Sequence, residues 1–239
     1  MAIRESLDEQ LSAIPTGEVF TLSDIDVPRQ YQGALAKALS QYAAMGSLKR
    51  VSKGRYYKPR QTRFGELHPG VEQVVKNYLY KNGEVIGYLT GTEAFAELGL
   101  TTQVSGDIMV GANKYRRPVK RGAYKITFLL QPNPIDADDF PLFRILDALR
   151  LIKSIPATTP DESIRQLGNI ISNLSENQRS RLTELAKRYP PFVRALLGAS
   201  LEAHGLPADQ LYETLNATTA YKLSLSDQSL PTKKKWNIQ

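Results

Sequence analysis

Two kinds of side chain are concentrated enough in this sequence to do chemistry: cations in two runs, and acids in one short cluster. Between Arg29 and Arg63 the chain carries Arg29, Lys37, Lys49, Arg50, Lys53, Arg55, Lys58, Arg60 and Arg63, with no Asp or Glu among them. The acids of the front end (Glu5, Asp8, Glu9, Glu18, Asp24 and Asp26) all precede that run. Such segregation gives one segment a positive face, whereas a merely solvated surface mixes signs. A positive face neutralises phosphates, and Arg or Gln beside it can pair with base edges. A second acid-free run, Asn113–Gly122, holds Lys114, Arg116, Arg117, Lys120 and Arg121, with Lys125 just beyond. It extends a nucleic-acid footprint, meets an acidic patch on a partner, or is a solvated hairpin connection.

The acid cluster is Asp136, Asp138 and Asp139. Paired carboxylates can hold magnesium for phosphoryl chemistry. These three sit just ahead of a helix expected near Leu142, where acids complement the dipole, and capping is the favoured reading. The sequence has no cysteine and only two histidines, His68 and His204, so thiolate and zinc chemistry are poorly supplied. Gly106, Gly111 and Gly122 have neither Walker nor dinucleotide spacing, and no G-x-S-x-G orders a serine nucleophile. The expectation is a binding protein without cofactor or metal, and not an enzyme.

The elements that would carry the cations follow from periodicity. Ile3, Leu7, Leu11 and Ile14 recur at helical spacing, and Pro15-Thr16-Gly17 ends that helix. Val19-Phe20 is a short extended stretch, and Thr21 with Asp24 resembles a capping box opening a brief helix over Leu22–Ile25. A third helix is predicted from Arg29 to Met45, with Tyr31, Leu35, Ala38, Leu39 and Tyr42 inward and Gly46 as its stop. Strands Leu48–Val51 and Tyr56–Lys58 flank a glycine turn, with Tyr56 and Tyr57 packed beneath. Helix, short helix, longer helix and basic hairpin make a winged helix-turn-helix. Its outward helix face would be Arg29, Gln30, Gly33, Lys37, Ser40 and Gln41. These residues either read bases or simply face solvent.

Residues 1–60 therefore form the expected DNA-binding domain, 61–69 a linker, and 70–239 a mixed domain with a small sheet and a helical C-terminal part. The whole is α+β. In the larger domain, helices are predicted over Val71–Lys81 and Thr92–Leu98, with strands over Asp107–Gly111 and Tyr124–Leu130. Helical stripes follow at Leu142, Ile145, Leu146, Leu149 and Ile152, then at Ile164, Leu167, Ile171 and Leu174. Arg181–Tyr189 and Phe192–Ala203 continue the pattern. After Gly205 periodicity fades, and Lys233-Lys234-Lys235-Trp236 reads as an untethered basic tail, unless Trp236 docks on the body. At 41% hydrophobic and 23% charged residues, with a net charge of +7, a real core is expected and wholesale disorder is excluded. No apolar run approaches the roughly 20 residues of a membrane helix, and the first residues lack signal-peptide features. A cytoplasmic protein with no membrane partner is expected.

One family is similar in both halves. The segment Gly17–Pro59, ending Ala43-Ala44-Met45-Gly46-Ser47-Leu48-Lys49-Arg50-Val51-Ser52-Lys53-Gly54-Arg55-Tyr56-Tyr57-Lys58-Pro59, resembles the N-terminal domain of AbiEi-type antitoxins. These belong to the abortive-infection AbiE systems, classed as type IV toxin–antitoxin modules. The stretch Tyr88–Val104 is similar to the family's G-x-x-A-x-x-x-L-G-L-S/T-x-Q-V, and Leu215-Asn216 and Trp236-Asn237-Ile238 also look like members of the group. The resemblance implies an antitoxin that represses its own operon by binding operator DNA and counters a nucleotidyltransferase-like toxin. The N-terminal domain would bind DNA and the C-terminal region would carry antitoxicity. The alternatives are a winged-helix regulator with a ligand-sensing rear domain, or a metal-dependent DNA-processing enzyme using Asp136–Asp139.

Overall fold

The structure, a computed structural model, describes residues 2–63, 65–103 and 105–239, with side chains from Ser6 onward. The Ile3 side chain and Val104 lie outside the described residues. The chain is mixed α+β and divides into two compact units: Met1–Asn77 with Val119–Lys125, and Tyr78–Pro118 with Ile126–Gln239.

The first unit opens with helix α1 (Ala2–Ala13), whose Leu7 and Leu11, one turn apart, are buried. Strand β1 (Val19–Thr21) follows, and then a single 3-10 turn, Leu22–Asp24. That turn opens where predicted: the Asp24 carboxylate accepts from both Thr21 N (2.7 Å) and Thr21 Oγ1 (2.8 Å). A second 3-10 turn, Arg29–Tyr31, leads into α2 (Gln32–Ala44). Leu35 and Leu39 are buried along α2, whereas Tyr31 is 38% exposed rather than inward. With about three residues per turn, a 3-10 segment puts Tyr31 off the stripe that a 3.6-residue helix would make. Gly46, at φ +82°, ends the helix and lets Leu48 N donate back to Tyr42 O.

Strands β2 (Lys49–Ser52) and β3 (Arg55–Tyr57) pair antiparallel, with β1 on the other side of β3. Phe20 and Tyr56 are cross-strand partners on one face, packed in a core with Leu7, Leu11, Ile25, Leu35, Leu39 and Leu48. Each such leucine contributes about 1.5–3 kcal/mol by leaving water. Val19 and Tyr57, partners on the opposite face, are buried too. A sheet with two apolar faces needs a second covering layer. This moves the expected boundary. Residues 61–69 are not a plain linker: β4 (Arg60–Thr62) and β5 (Gly65–Leu67) form a hairpin, and Tyr57 OH donates to Glu66 at 3.0 Å. Helix α3 (Val71–Leu79) is tied to β1 by Val19 N to Gln73 Oε1 (3.4 Å) and by the Lys76–Glu18 ion pair (3.1 Å). The first unit therefore continues to Asn77 instead of ending at residue 60.

The second unit begins with a small hairpin, β6 (Tyr80–Lys81) and β7 (Glu84–Val85), turned on Asn82-Gly83 with both φ positive, as a type I′ turn requires. Next come β8 (Gly87–Thr90), α4 (Thr92–Glu97), β9 (Asp107–Ala112) and β11 (Tyr124–Leu130), while β10 (Val119–Arg121) and the start of β11 are counted with the first unit; the strand order is β10-β11-β9-β8. Helices α5 (Phe140–Arg150), α6 (Pro160–Ser172), α7 (Glu176–Ala186), α8 (Pro191–Ala203) and α9 (Asp209–Tyr212) complete it. Capping boxes at Thr159/Glu162 and Ser175/Gln178 start α6 and α7, and Pro191 sits in the first turn of α8. The expected stripes are core: Leu142, Ile145, Leu146, Leu149, Ile164, Leu167 and Ile171 are all buried.

The basic tail is not untethered. Trp236 is 1% exposed, with Tyr212 edge-on at 5.3 Å and its Nε1 donating to Glu202 at 2.6 Å. It fills a notch at Gly198, where a Cβ would stand 2.0 Å from the indole. Lys233 and Lys234 pair with Asp227 (3.1 and 2.7 Å), and Lys235 pairs with Glu202 (2.6 Å). No helix among the described residues is long and apolar enough to cross a membrane.

Candidate nucleic-acid interface

Helix α2 presents a polar, cationic outer face. Gly33, Lys37, Ser40 and Gln41 are exposed within an arc of roughly 100° set by 3.6 residues per turn, and Arg29 and Gln30 are exposed in the turn ahead. A Cβ built at Gly33 would meet nothing within 4 Å, so the backbone there is bare. Strand β2 meets this face through Arg50. Its guanidinium donates to Ser40 Oγ at 3.0 Å and to Tyr56 OH at 2.8 Å, and it lies 5.2 Å from the centre of the Tyr56 ring. Burial pushes the Tyr56 phenol up, but the bonds to Ser40 and Arg50 outweigh it and leave it below its ordinary value.

The remaining cations of the first run divide by strand register. Arg50 opposes Tyr56 and faces α2, while Lys49 opposes Tyr57 on the other face and pairs with Glu66 at 3.4 Å. Lys53 is exposed in the turn beside Gly54 (φ +71°), and Arg55 is half-buried at the start of β3. Lys58 closes the end of α1, donating Nζ to Ser12 O at 3.0 Å, a usual place for a cation near a helix C-terminus. Arg60 and Arg63 are exposed on the β4–β5 hairpin. Arg29, Lys37, Lys53, Arg55 and Arg60 have no acid within 4.0 Å among the described residues.

Of the second run, Lys114, Arg116, Arg117 and Lys120 are exposed. Arg121 is not part of that surface. It is 5% exposed and donates Nη1 to Val74 O (2.5 Å) and Asn77 Oδ1 (2.7 Å) inside the first unit, because the tip Val119–Lys125 tucks into that unit. A cavity of about 560 Å³ adjoins it, lined by Lys49, Tyr57, Glu66, His68, Arg121 and Tyr124 among others. Burial and the neighbouring Glu66 carboxylate push the Tyr57 phenol up to about 12.

The acid cluster is used structurally. Asp136 caps the turn Ala137–Asp139 by accepting from Asp138 N at 3.1 Å. Asp139 is buried and takes a bidentate pair from Arg181 (2.9 and 2.6 Å). Among the described residues no group of three His, Cys, Asp or Glu side chains is placed to hold a metal ion. Sequence reasoning missed a different acid. Asp147, in α5, is buried and accepts from Tyr88 OH (2.7 Å), Thr90 Oγ1 (2.8 Å) and Tyr189 OH (3.0 Å). Gln131 Nε2 donates to both tyrosine oxygens at 2.7 Å, and Gln131 Oε1 accepts from Asn133 N at 2.9 Å. The network is closed on itself and pins β8, α5 and the segments after β11 and α7 together. The sequence signal was weak: Asp147 is the one acid of a mostly apolar helix, but it stands three residues from both Arg144 and Arg150, the spacing of a surface ion pair.

The geometry defines an α+β protein with a cation-rich helix-and-hairpin surface in its first unit. Residues 6–173 match the model of a family of unknown function, DUF6088, and the chain belongs to that family. No curated protein matches it. Among solved structures it is similar to the crystal structure of the RV2827C protein from Mycobacterium tuberculosis, at 16% identity over 91% of this chain and 83% of that chain, with a TM-score of 0.47.

Proposed function

We propose that the first unit is a winged helix-turn-helix that binds double-stranded DNA, and that the chain acts as an operon autorepressor and antitoxin. The observation that carries the DNA reading is the Arg50 bridge: it joins the outer face of α2 to the β2–β3 hairpin, both drawn from the acid-free run Arg29–Arg63. In this reading α2 enters the major groove, where Arg29, Gln30, Lys37 and Gln41 reach base edges and the bare Gly33 admits close approach. Arg50, Lys53 and Arg55 hold flanking phosphates, and Arg60 and Arg63 follow the backbone. Lys49 and Lys58, engaged with Glu66 and Ser12, are secondary. In this reading the chain is a cytoplasmic DNA-binding protein, and Asp136 and Asp139 serve as a turn cap and an ion-pair partner.

Fluorescence anisotropy with duplex DNA from upstream of the chain's own gene tests this. Arg50→Ala/Lys53→Ala/Arg55→Ala removes three phosphate contacts, so the slope of log K against log salt should shrink by roughly 2.7. An unchanged affinity and slope would remove the hairpin from the mechanism. The antitoxin half rests on the resemblance of residues 43–59 and 88–104 to AbiEi-type antitoxins. Co-expression with the adjacent gene tests it: rescue of arrested growth supports a nucleotidyltransferase-like toxin partner, and a harmless neighbour leaves only the repressor. A ligand-sensing second unit is the rival, favoured by a cavity of about 490 Å³ beside Phe192 and Tyr221. A ligand that raises the melting temperature would support it.

A further inference from the structure

The second unit carries a cationic segment that the duplex reading does not use. From Ile108 to Ile135 the sequence has no Asp or Glu. Within it, Asn113–Pro118 leaves β9 without helix or strand. Its base is fixed, because Asn113 Nδ2 donates to Gln131 O (2.9 Å) and Asn133 O (2.5 Å). Its middle is fixed as well: the Arg116 guanidinium stands 5.4 Å from the Tyr78 ring and 6.0 Å from the Phe128 ring, and those rings meet edge to face at 4.9 Å. Held at these two points, the arm turns its other side chains to solvent. Tyr115 is 80% exposed, between exposed Lys114 and Arg117.

We propose that this arm binds single-stranded nucleic acid, with an unpaired base stacked on Tyr115 and the phosphates on either side held by Lys114 and Arg117. A nucleotide chain alternates flat π faces with anions, and the arm alternates a ring with cations. A duplex keeps its base faces stacked inside and offers Tyr115 none, whereas an unpaired strand offers both groups. Arg116, engaged with Tyr78 and Phe128, sets the geometry of the arm. The arm belongs to the second unit and the α2 surface to the first.

The test uses the full chain and a fluorescein-labelled oligothymidine, with the duplex of the preceding experiment alongside. Tyr115→Ala should weaken oligothymidine binding roughly fivefold or more, and Tyr115→Phe should retain it. Lys114→Ala/Arg117→Ala should shrink the salt slope by about 1.4, two single-strand phosphates' worth. Arg50→Ala/Lys53→Ala/Arg55→Ala should leave oligothymidine binding intact. Thermal melts of the arm variants by circular dichroism should be unchanged, since Lys114, Tyr115 and Arg117 are exposed. The proposal is overturned if the wild-type chain does not bind oligothymidine or if the arm variants bind it like wild type. It is equally overturned if Tyr115→Ala weakens duplex and single strand alike, or if polyglutamate competes as well as oligonucleotide. Duplex binding that falls in the hairpin variant would, in each of these cases, leave the first unit's role standing.

Discussion

Asp147→Asn replaces a buried titratable carboxyl while keeping the shape of the side chain. Asp147 is 1% exposed, and its burial raises the carboxyl above its ordinary range; the hydroxyls of Tyr88, Thr90 and Tyr189, with Arg150 nearby, pull down without cancelling the rise. The sign follows from which state holds the proton. Below about pH 4 both folded and unfolded chains are protonated at this site, and it contributes no pH dependence. Above that, the unfolded chain releases its proton first while the folded chain retains it. Stability therefore falls as pH rises, by up to about 1.4 kcal/mol per pH unit, until the folded carboxyl ionises. The amide of the Asp147→Asn variant does not titrate. The unfolding free energy of wild type minus that of the variant, from urea denaturation at a series of pH values, should decline from about pH 4 and then level off where the folded carboxyl ionises. A difference that stays flat would refute the raised carboxyl. A difference that grows with pH would mean the three hydroxyls win over desolvation.

Two further substitutions test the packing. Gly198→Ala places a methyl 2.0 Å from the Trp236 ring, so the indole must leave its notch or α8 must shift. A loss of about 2–5 kcal/mol is expected, with a red-shifted emission from the chain's one tryptophan. Arg121→Met removes the Arg121 donor from Asn77 Oδ1 and a second donor from the helical carbonyl of Val74, at about 1–3 kcal/mol. Chemical denaturation should register that loss, while the salt dependence of duplex binding by the folded variant stays at its wild-type slope.

How much of this was legible depended on whether the deciding contact was local. The α2 stripe Leu35/Leu39, its glycine stop and the Thr21/Asp24 turn rest on neighbours within a few residues, and all are present. The exposed face Gly33, Lys37, Ser40, Gln41 follows from the same wheel. What sequence could not divide was the cationic run. Arg50 and Lys49 differ by one position, and strand alternation sends one to Ser40 and the other to Glu66. Arg121 reads as one more surface cation, and only its contact with residues about forty-five positions earlier makes it core. The docking of Trp236 is undecidable from sequence for a like reason: its notch at Gly198 lies far back in the chain, and no periodicity announces it. Tyr88, Gln131, Asp147 and Tyr189 come from four separate segments and meet only in three dimensions.

The tip Val119–Lys125 also has a consequence for how the molecule is made. The first unit is interrupted: Tyr78–Pro118, which belongs to the other unit, must be synthesised before Arg121 can reach Val74 and Asn77. At about 5–20 residues per second that is a wait of roughly 2–8 s on the ribosome. During this wait the helix-and-hairpin surface exists without one of its buried donors. A fragment cut after Asn77 would remain in that condition permanently. The unit that carries the α2 surface is thus completed in time by a segment encoded well behind it, which makes Met1–Lys125 the shortest contiguous piece that contains it whole.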